Sequence, residues 1–330
     1  MDFAEYKDVL VVLELDEGKP VNVSLENIAA AKSVANGGKV IAVTVCENAA
    51  KTAIEYGADS AIVIEGAQFE GYNADAVADA VAQIAAEVKP AAIFTGATGK
   101  GKDLVPRIAA KLATGSVCDA TAVKLDEAGN VVFTVPAYGG NILTDVVIDS
   151  VRPQVASIRG GSVAKLEPEA GKAGDIAKKA ITVADDQIKL QIKETVKEIA
   201  ESVNLEEAEV IVSGGRGMGS KENFALVDDL AKLLGGVVGA TRPAIEDGWV
   251  SKIHQVGQSG KIVAPKLYIA CGISGATQHV SGIMNSGYIV AINKDEDAPI
   301  FDVANVGIVG DVMKVLPVMI EEIKKIKDAQ

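Results

Sequence analysis

Aromatic side chains are scarce in this chain of 330 residues, at 4%, while Ala, Val, Ile and Gly dominate. That mixture suits buried parallel strands packed against Ala-rich helices. Positive charge is also short. The 32 Lys and Arg face 45 Asp and Glu, for a net charge of −13. Nonspecific nucleic-acid binding needs a basic surface, so it is excluded. The three cysteines, Cys46, Cys118 and Cys271, are widely spaced with no CxxC. No disulfide framework or thiolate metal site follows from them, and a reducing compartment is expected. Cys271 reads as a small packing residue. With only His254 and His279 available, a Ser-His-Asp triad would have to use one of two histidines, and no hydrolytic constellation is evident. His254 reads as orienting a loop. No apolar run approaches the roughly 20 residues of a membrane span. The opening residues MDFAEYKD carry neither a basic nor an apolar region, so no signal or transit peptide is expected and the expected location is cytoplasmic.

What is present points to an α/β protein of about two domains. Apolar runs of strand length stand at Val9–Leu15, Val40–Val45, Ala61–Ile64 and Ala91–Thr95. Between them lie segments of helical spacing. One carries Leu25 and Ile28 behind an expected N-cap at Ser24. Another carries Val77, Val81, Ile84 and Val88, closed by Pro90. Alternation of strand and helix predicts right-handed crossovers and a mostly parallel sheet. Val131–Pro136 and Asp145–Ile148 read as antiparallel additions around a loop at 138–141. Val155–Ile158 reads as a further strand.

The turn GATGKGKD, Gly96–Asp103, has two lysines among glycines. It fails the phosphate-loop spacing, because Asp103 stands where Ser or Thr is required. A tight turn capped by Asp103 is expected, with Pro106 in the first helical turn. The charged stretch KLEPEAGKAGD from Lys165 reads as a loop or linker. A helix is expected through Val196, Ile199 and Val203. The domain boundary is expected near residue 205, giving domains of 1–204 and 205–330.

The second half opens with a strand at Glu209–Val212 and the turn SGGRGMG, Ser213–Gly219. A helix with Phe224, Val227, Leu230 and Leu234 on one face follows. Strand, glycine turn and helix is a dinucleotide-binding geometry, although GxGxxG is not matched. A second such unit is LYIACGISGATQHVSGIMNSGYIVAIN, Leu267–Asn293. Its glycines and short polar side chains fall where helix N-termini and strand ends meet a ligand. From Val312 an amphipathic helix runs through Leu316, Met319 and Ile323.

Several strings carry a resemblance: Leu-Tyr-Ile-Ala at 267–270, Gly-Ile-Ser-Gly at 272–275, Gln278-His279 and Ala-Ile-Asn at 291–293. To these are added Ser-Gly-Gly-Arg-Gly at 213–217, Gly-Ala-Thr-Arg-Pro at 239–243, Gln-Val-Gly-Gln-Ser-Gly-Lys at 255–261 and Gly-Ile-Val-Gly-Asp at 307–311. Together they resemble the alpha subunit of an electron-transfer flavoprotein, over nearly the whole chain. Thr277 departs from the aliphatic residue expected there.

The resemblance implies an N-terminal nucleotide-binding-like domain that packs against a beta subunit, and a C-terminal Rossmann-like domain that holds FAD. It implies an electron carrier rather than an enzyme. The carrier would relay electrons, as in fatty acid oxidation, between acyl-CoA dehydrogenase-type flavoproteins and another redox partner. Bifurcation of electrons from NADH stays open, as do an NAD-dependent enzyme and a nucleotide-sensing module. A reduced flavin gathers negative charge near N1 and O2, which a donor or cation stabilises. The resemblance gives that part to His279, sets Arg242 against the ring face and puts the Ser259 hydroxyl near N5. Arg216 would meet the pyrophosphate. Thr241, Val256, Gly257, Gln258, Ser274, Gly275, Ala276, Thr277, Gln278, Asn293, Asp311 and Val312 would complete the site.

Overall fold

The computed structural model describes residue 3 and residues 5–69, 71–138, 142–190 and 204–328. It divides into two compact units, Met1–Val196 and Lys197–Gln330. The helix expected through Val196, Ile199 and Val203 lies outside the described residues, as do residues 139–141 of the expected loop.

In chain order the first unit carries β1 (Val9–Val12), β2 (Leu15–Asp16), β3 (Lys19–Pro20), α1 (Asn22–Val34), β4 (Val40–Thr44), α2 (Glu47–Glu55), β5 (Ser60–Glu65), α3 (Ala74–Val88) and β6 (Ala92–Gly96). It continues with α4 (Gly99–Lys111), β7 (Ser116–Ala120), β8 (Ala122–Leu125), β9 (Val131–Ala137), β10 (Ile142–Val147), β11 (Gln154–Ile158) and β12 (Asp175–Ala180). Seven strands form one parallel sheet in the order β12-β5-β4-β1-β6-β11-β7. β8, β9 and β10 form a separate antiparallel sheet. The central strands are apolar throughout because both faces are covered. Val9, Val11 and Leu13 face one core with Leu25 and Ile28, whereas Leu10 and Val12 face the other with Val81, Ile84 and Leu104.

Two expected helix starts are corrected. Ser24 is not the N-cap of α1, which begins two residues earlier. Its hydroxyl accepts the Glu14 N–H at 2.9 Å and donates to the Glu14 carbonyl at 3.3 Å. The side chain is thus engaged with the loop after β1. Asp103 does not cap α4. Thr98 does, accepting the Gly101 N–H at 3.0 Å. The glycines join the helix, so Pro106 sits in its interior rather than its first turn. Asp103 instead pairs with Arg107 one turn on, at 2.9 Å.

The stretch from Lys165 is a loop held on this unit, with the Glu169 N–H donating to the Glu55 carbonyl at 2.9 Å. It leads to β12, an edge strand that pairs with β5 over six residues. Lys178 and Lys179 on β12 pair with Glu47 and Glu87.

The second unit carries β13 (Val210–Gly214), α5 (Phe224–Leu234), β14 (Val237–Ala240), α6 (Arg242–Glu246), β15 (Leu267–Cys271), α7 (Thr277–Val280), β16 (Ile289–Asn293), β17 (Val306–Val309) and α8 (Val312–Asp328). Its five strands are all parallel, ordered β14-β13-β15-β16-β17. α5 buries Phe224, Val227 and Leu230 against Val212, Ile269 and Leu316. Each such side chain contributes about 1.5–3 kcal/mol when fully buried. The opposite face packs Tyr268, Ala270, Ile289 and Ile300. This packing holds the strand ends at one rim.

Candidate functional site

β13 and β15 are neighbours, but the chain makes β14 between them on the far side, so the strand order reverses there. Open α/β sheets take ligands at the carboxyl ends beside such a reversal. The two glycine turns meet at this point. The Gly215 N–H donates to the Cys271 carbonyl, and the Gly217 N–H to the Gly272 carbonyl, both at 2.9 Å. A Cβ on Gly217 would stand 2.6 Å from the Gly272 oxygen, so only glycine permits the approach. Arg216 is exposed between them.

A second group gathers on the β14 side of the rim. The Val256 N–H donates to the Ala240 carbonyl at 2.9 Å, and the Gln258 N–H to the Gln278 carbonyl at 2.7 Å. Gly257 has φ +134°, and a Cβ there would lie 2.8 Å from the Gln278 oxygen. The loop holding Val256, Gly257, Gln258 and Ser259 is therefore fastened to α7, which carries Thr277, Gln278 and His279 behind the exposed Ala276. Gln255 donates its side-chain amide to Ser259 Oγ at 2.9 Å. The serine proton stays available for donation.

Thr241 closes β14. It is buried, and its hydroxyl has no hydrogen-bond partner. Next to it, Arg242 is exposed and pairs with Glu246 one turn on, Nε to Oε1 at 2.7 Å. Beyond β15, Asn293 donates to the Ile273 carbonyl at 2.9 Å, and the Ser274 carbonyl accepts from Ile300 N–H at 3.0 Å. Gly275 has φ +93°, with Ile300 N only 2.2 Å from any Cβ. Asp311 caps α8, accepting the Met313 N–H at 3.0 Å. Val312 and Val256 bury their side chains in the two cores.

His279 is 6% exposed. Its Nδ1 donates to the Val256 carbonyl at 3.1 Å, since a carbonyl can only accept. Nε2 is then the acceptor, and Tyr268 donates its hydroxyl to it at 2.9 Å. Burial lowers the imidazole pKa to about 4, against the opposing pull of the Val256 bond. The ring is a neutral clasp between β15, α7 and the 255–261 loop, with both nitrogens engaged inside the protein. Burial likewise pushes the Tyr268 hydroxyl upward and the Cys271 thiol up to about 12. Cys271 is thus a protonated packing residue, as its sequence context implies. His254 Nδ1 bonds the Val238 carbonyl at 2.7 Å, orienting its loop.

Tyr268 is the residue that sequence reasoning missed. Its only signal is a hydroxyl in an otherwise apolar strand, LYIAC. Among the described residues, no group of three or more His, Cys, Asp or Glu could hold a metal ion. No helix among them is long and apolar enough to cross a membrane.

Residues 9–185 match the electron transfer flavoprotein domain, and residues 204–284 match the electron transfer flavoprotein FAD-binding domain. The electron transfer flavoprotein subunit alpha of Thermoanaerobacterium thermosaccharolyticum is 44% identical over 328 residues, covering 98% of this chain and 99% of that protein. This chain belongs to the electron-transfer flavoprotein alpha-subunit family. The alpha subunit of Megasphaera elsdenii is 42% identical, with 99% of each chain covered. The acryloyl-CoA reductase electron transfer subunit beta of Anaerotignum propionicum is 38% identical, covering 99% of this chain and 98% of that one. Members of the electron-transfer flavoprotein alpha family are electron carrier subunits rather than enzymes, and an alpha subunit implies a beta-subunit partner.

Proposed function

We propose that residues 205–330 hold FAD non-covalently at the carboxyl rim of the second sheet, in a heterodimer with a beta subunit. The observation that carries this reading is Thr241. A buried hydroxyl without a partner is costly by about 1–3 kcal/mol unless something bonds it. This one lies at the rim where the other candidate residues gather. The donor set suits a flavin and its pyrophosphate. Arg216 and Arg242 are exposed cations, and Ser259 has a proton to donate. The glycine turns let the backbone approach this rim closely, while the Gly215 and Gly217 N–H groups are used to join the two turns.

Bound FAD would supply reversible electron transfer. The chain's own residues set its surroundings. Arg216 would meet the pyrophosphate, and Arg242 would place positive charge beside the ring. Ser259, held by Gln255, would donate its hydroxyl proton to a ring acceptor. His279 keeps the 255–261 loop and α7 in register and remains neutral at pH 7 through burial.

We further propose that the heterodimer relays electrons between an acyl-CoA dehydrogenase-type flavoprotein and another redox partner. The name of the Anaerotignum relative, an electron transfer subunit of an acryloyl-CoA reductase, supports a partner that works on acyl-CoA. The test is to purify the chain with its beta subunit, release the cofactors by denaturation and count FAD and AMP. One FAD with one AMP per heterodimer is the outcome expected for simple transfer. Two FAD would favour bifurcation, and a preparation that takes up no FAD would overturn the assignment.

A further inference from the structure

The first unit has a rim of its own. β1 pairs with β4 on one side and β6 on the other, so the strand order of the larger sheet reverses between β1 and β6. A cavity of about 340 Å³ opens at these carboxyl ends. That volume is near the lower end of small-molecule sites, roughly 300–1,000 Å³. Its walls include Val12, Val43, Ile64, Phe69 and Leu104, each less than a tenth exposed. Among them stand two buried hydroxyls: Thr95, which donates to the Gly96 carbonyl at 3.3 Å, and Thr44, which accepts the Cys46 N–H at 3.2 Å and keeps its own proton to donate.

The mouth is different in chemistry. Here the N-terminus of α4 and Lys100 would offer positive charge to an anion. Glu14 already stands at this mouth. Its carboxylate, 20% exposed, accepts the Thr98 hydroxyl at 2.5 Å and pairs with Lys100 at 3.4 Å. Thr98 is in turn the cap of α4. Tyr72 closes the ring of contacts, donating its hydroxyl to the Lys100 carbonyl at 3.2 Å beneath the Lys100 ammonium. A phosphate entering this mouth would have to displace the chain's own carboxylate and would meet its repulsion while it stayed.

We propose that this cavity binds a neutral, flat heteroaromatic ligand of nucleoside size, and that Glu14 rejects the phosphorylated form. The apolar walls take the ring. Thr44 donates to a ring acceptor, and the Glu14 carboxylate accepts from ligand hydroxyls at the mouth. This inference is independent of where FAD binds.

Adenosine and AMP are suitable probes because they differ only in the phosphate. The full chain, with excess FAD present so that an adenine-accepting site elsewhere is filled, is titrated with each by calorimetry. Adenosine should bind saturably and about tenfold or more tighter than AMP. Glu14→Gln should narrow that ratio by strengthening AMP. Val77→Phe, which places a ring into the cavity from half-buried α3, should abolish adenosine binding while its thermal unfolding midpoint shows that it is folded. Absence of saturable adenosine binding, AMP binding as tightly as adenosine, or a folded Val77→Phe that binds adenosine unchanged would each overturn the proposal. Should Val77→Phe fail to fold, an adenosine-to-AMP ratio unaltered in Glu14→Gln would do so alone. A chain that takes no FAD would count against the flavin reading only, because the cavity variants locate adenosine independently.

Discussion

Tyr268 and His279 share a hydrogen bond of 2.9 Å, with the tyrosine hydroxyl donating to Nε2 in the interior of the second unit. The imidazole thereby has a fixed tautomer. Its remaining N–H reaches the Val256 carbonyl, so one buried pair joins a strand, a short helix and a loop. Tyr268→Phe keeps the ring and removes the proton that satisfies Nε2. A buried acceptor left without its donor is destabilising by about 1–3 kcal/mol. Denaturant unfolding of the second unit should show a loss in that range with an unchanged slope. An unaltered midpoint would mean the bond adds nothing net.

The same histidine gives the fold an acid-side sensitivity. Its pKa is about 4 in the folded protein, against 6.5 for the free side chain. The unfolded chain therefore binds the proton first as pH falls. The stability tied to neutral His279 is fully present above about pH 6.5 and drains away towards pH 4, by about 3 kcal/mol at most. Unfolding measured at pH 7, 5.5 and 4.5 should fall more steeply for the parent than for His279→Gln. Parallel curves would assign the acid sensitivity to other groups.

Gly257→Ala tests the fastening of the loop to α7. The new methyl would lie 2.8 Å from the Gln278 oxygen at a φ that L residues rarely adopt. A loss on the order of 1–3 kcal/mol is expected, together with weaker FAD retention on gel filtration. Full flavin content and full stability together would show that the loop can shift without harm.

Arg242→Ala bears on the flavin potential. Arg242 is exposed and already paired with Glu246, so its effect is discounted for solvent screening to about 1 kcal/mol. The midpoint potential of the FAD-loaded heterodimer should become more negative, since a cation beside the ring favours the reduced, negatively charged form. A potential identical to the parent's, with flavin fully bound, would leave Arg242 a structural role in α6 alone.

Much of the architecture could be read in advance because buried parallel strands are nearly continuous apolar runs. Val40–Thr44, Ala92–Gly96 and Leu267–Cys271 declare themselves in this way. β12, with the sequence DIAKKA, does not, because it lies at an edge and only Ile176 and Lys179 are even partly buried. Local rules misplaced Ser24 and Asp103 for a related reason. A Ser at a helix start can be drawn to a distant backbone, as Ser24 is to Glu14, and a Thr nearer the strand can take the capping role. At the rim, sequence strings picked out Thr241, Gln258 and His279. They could not reveal that His279 faces Tyr268 and Val256, because those bonds arise from register between elements 11 and 23 residues apart.

The lysines of β12 have an effect beyond their ion pairs. An edge strand exposes unsatisfied peptide groups that can recruit a strand from another molecule, and inserting such a strand beside β12 would crowd it against charged side chains. Lys178 and Lys179, tied to Glu47 and Glu87 on neighbouring helices, therefore guard a seven-stranded sheet against edge-to-edge aggregation at the flank where it would otherwise be open.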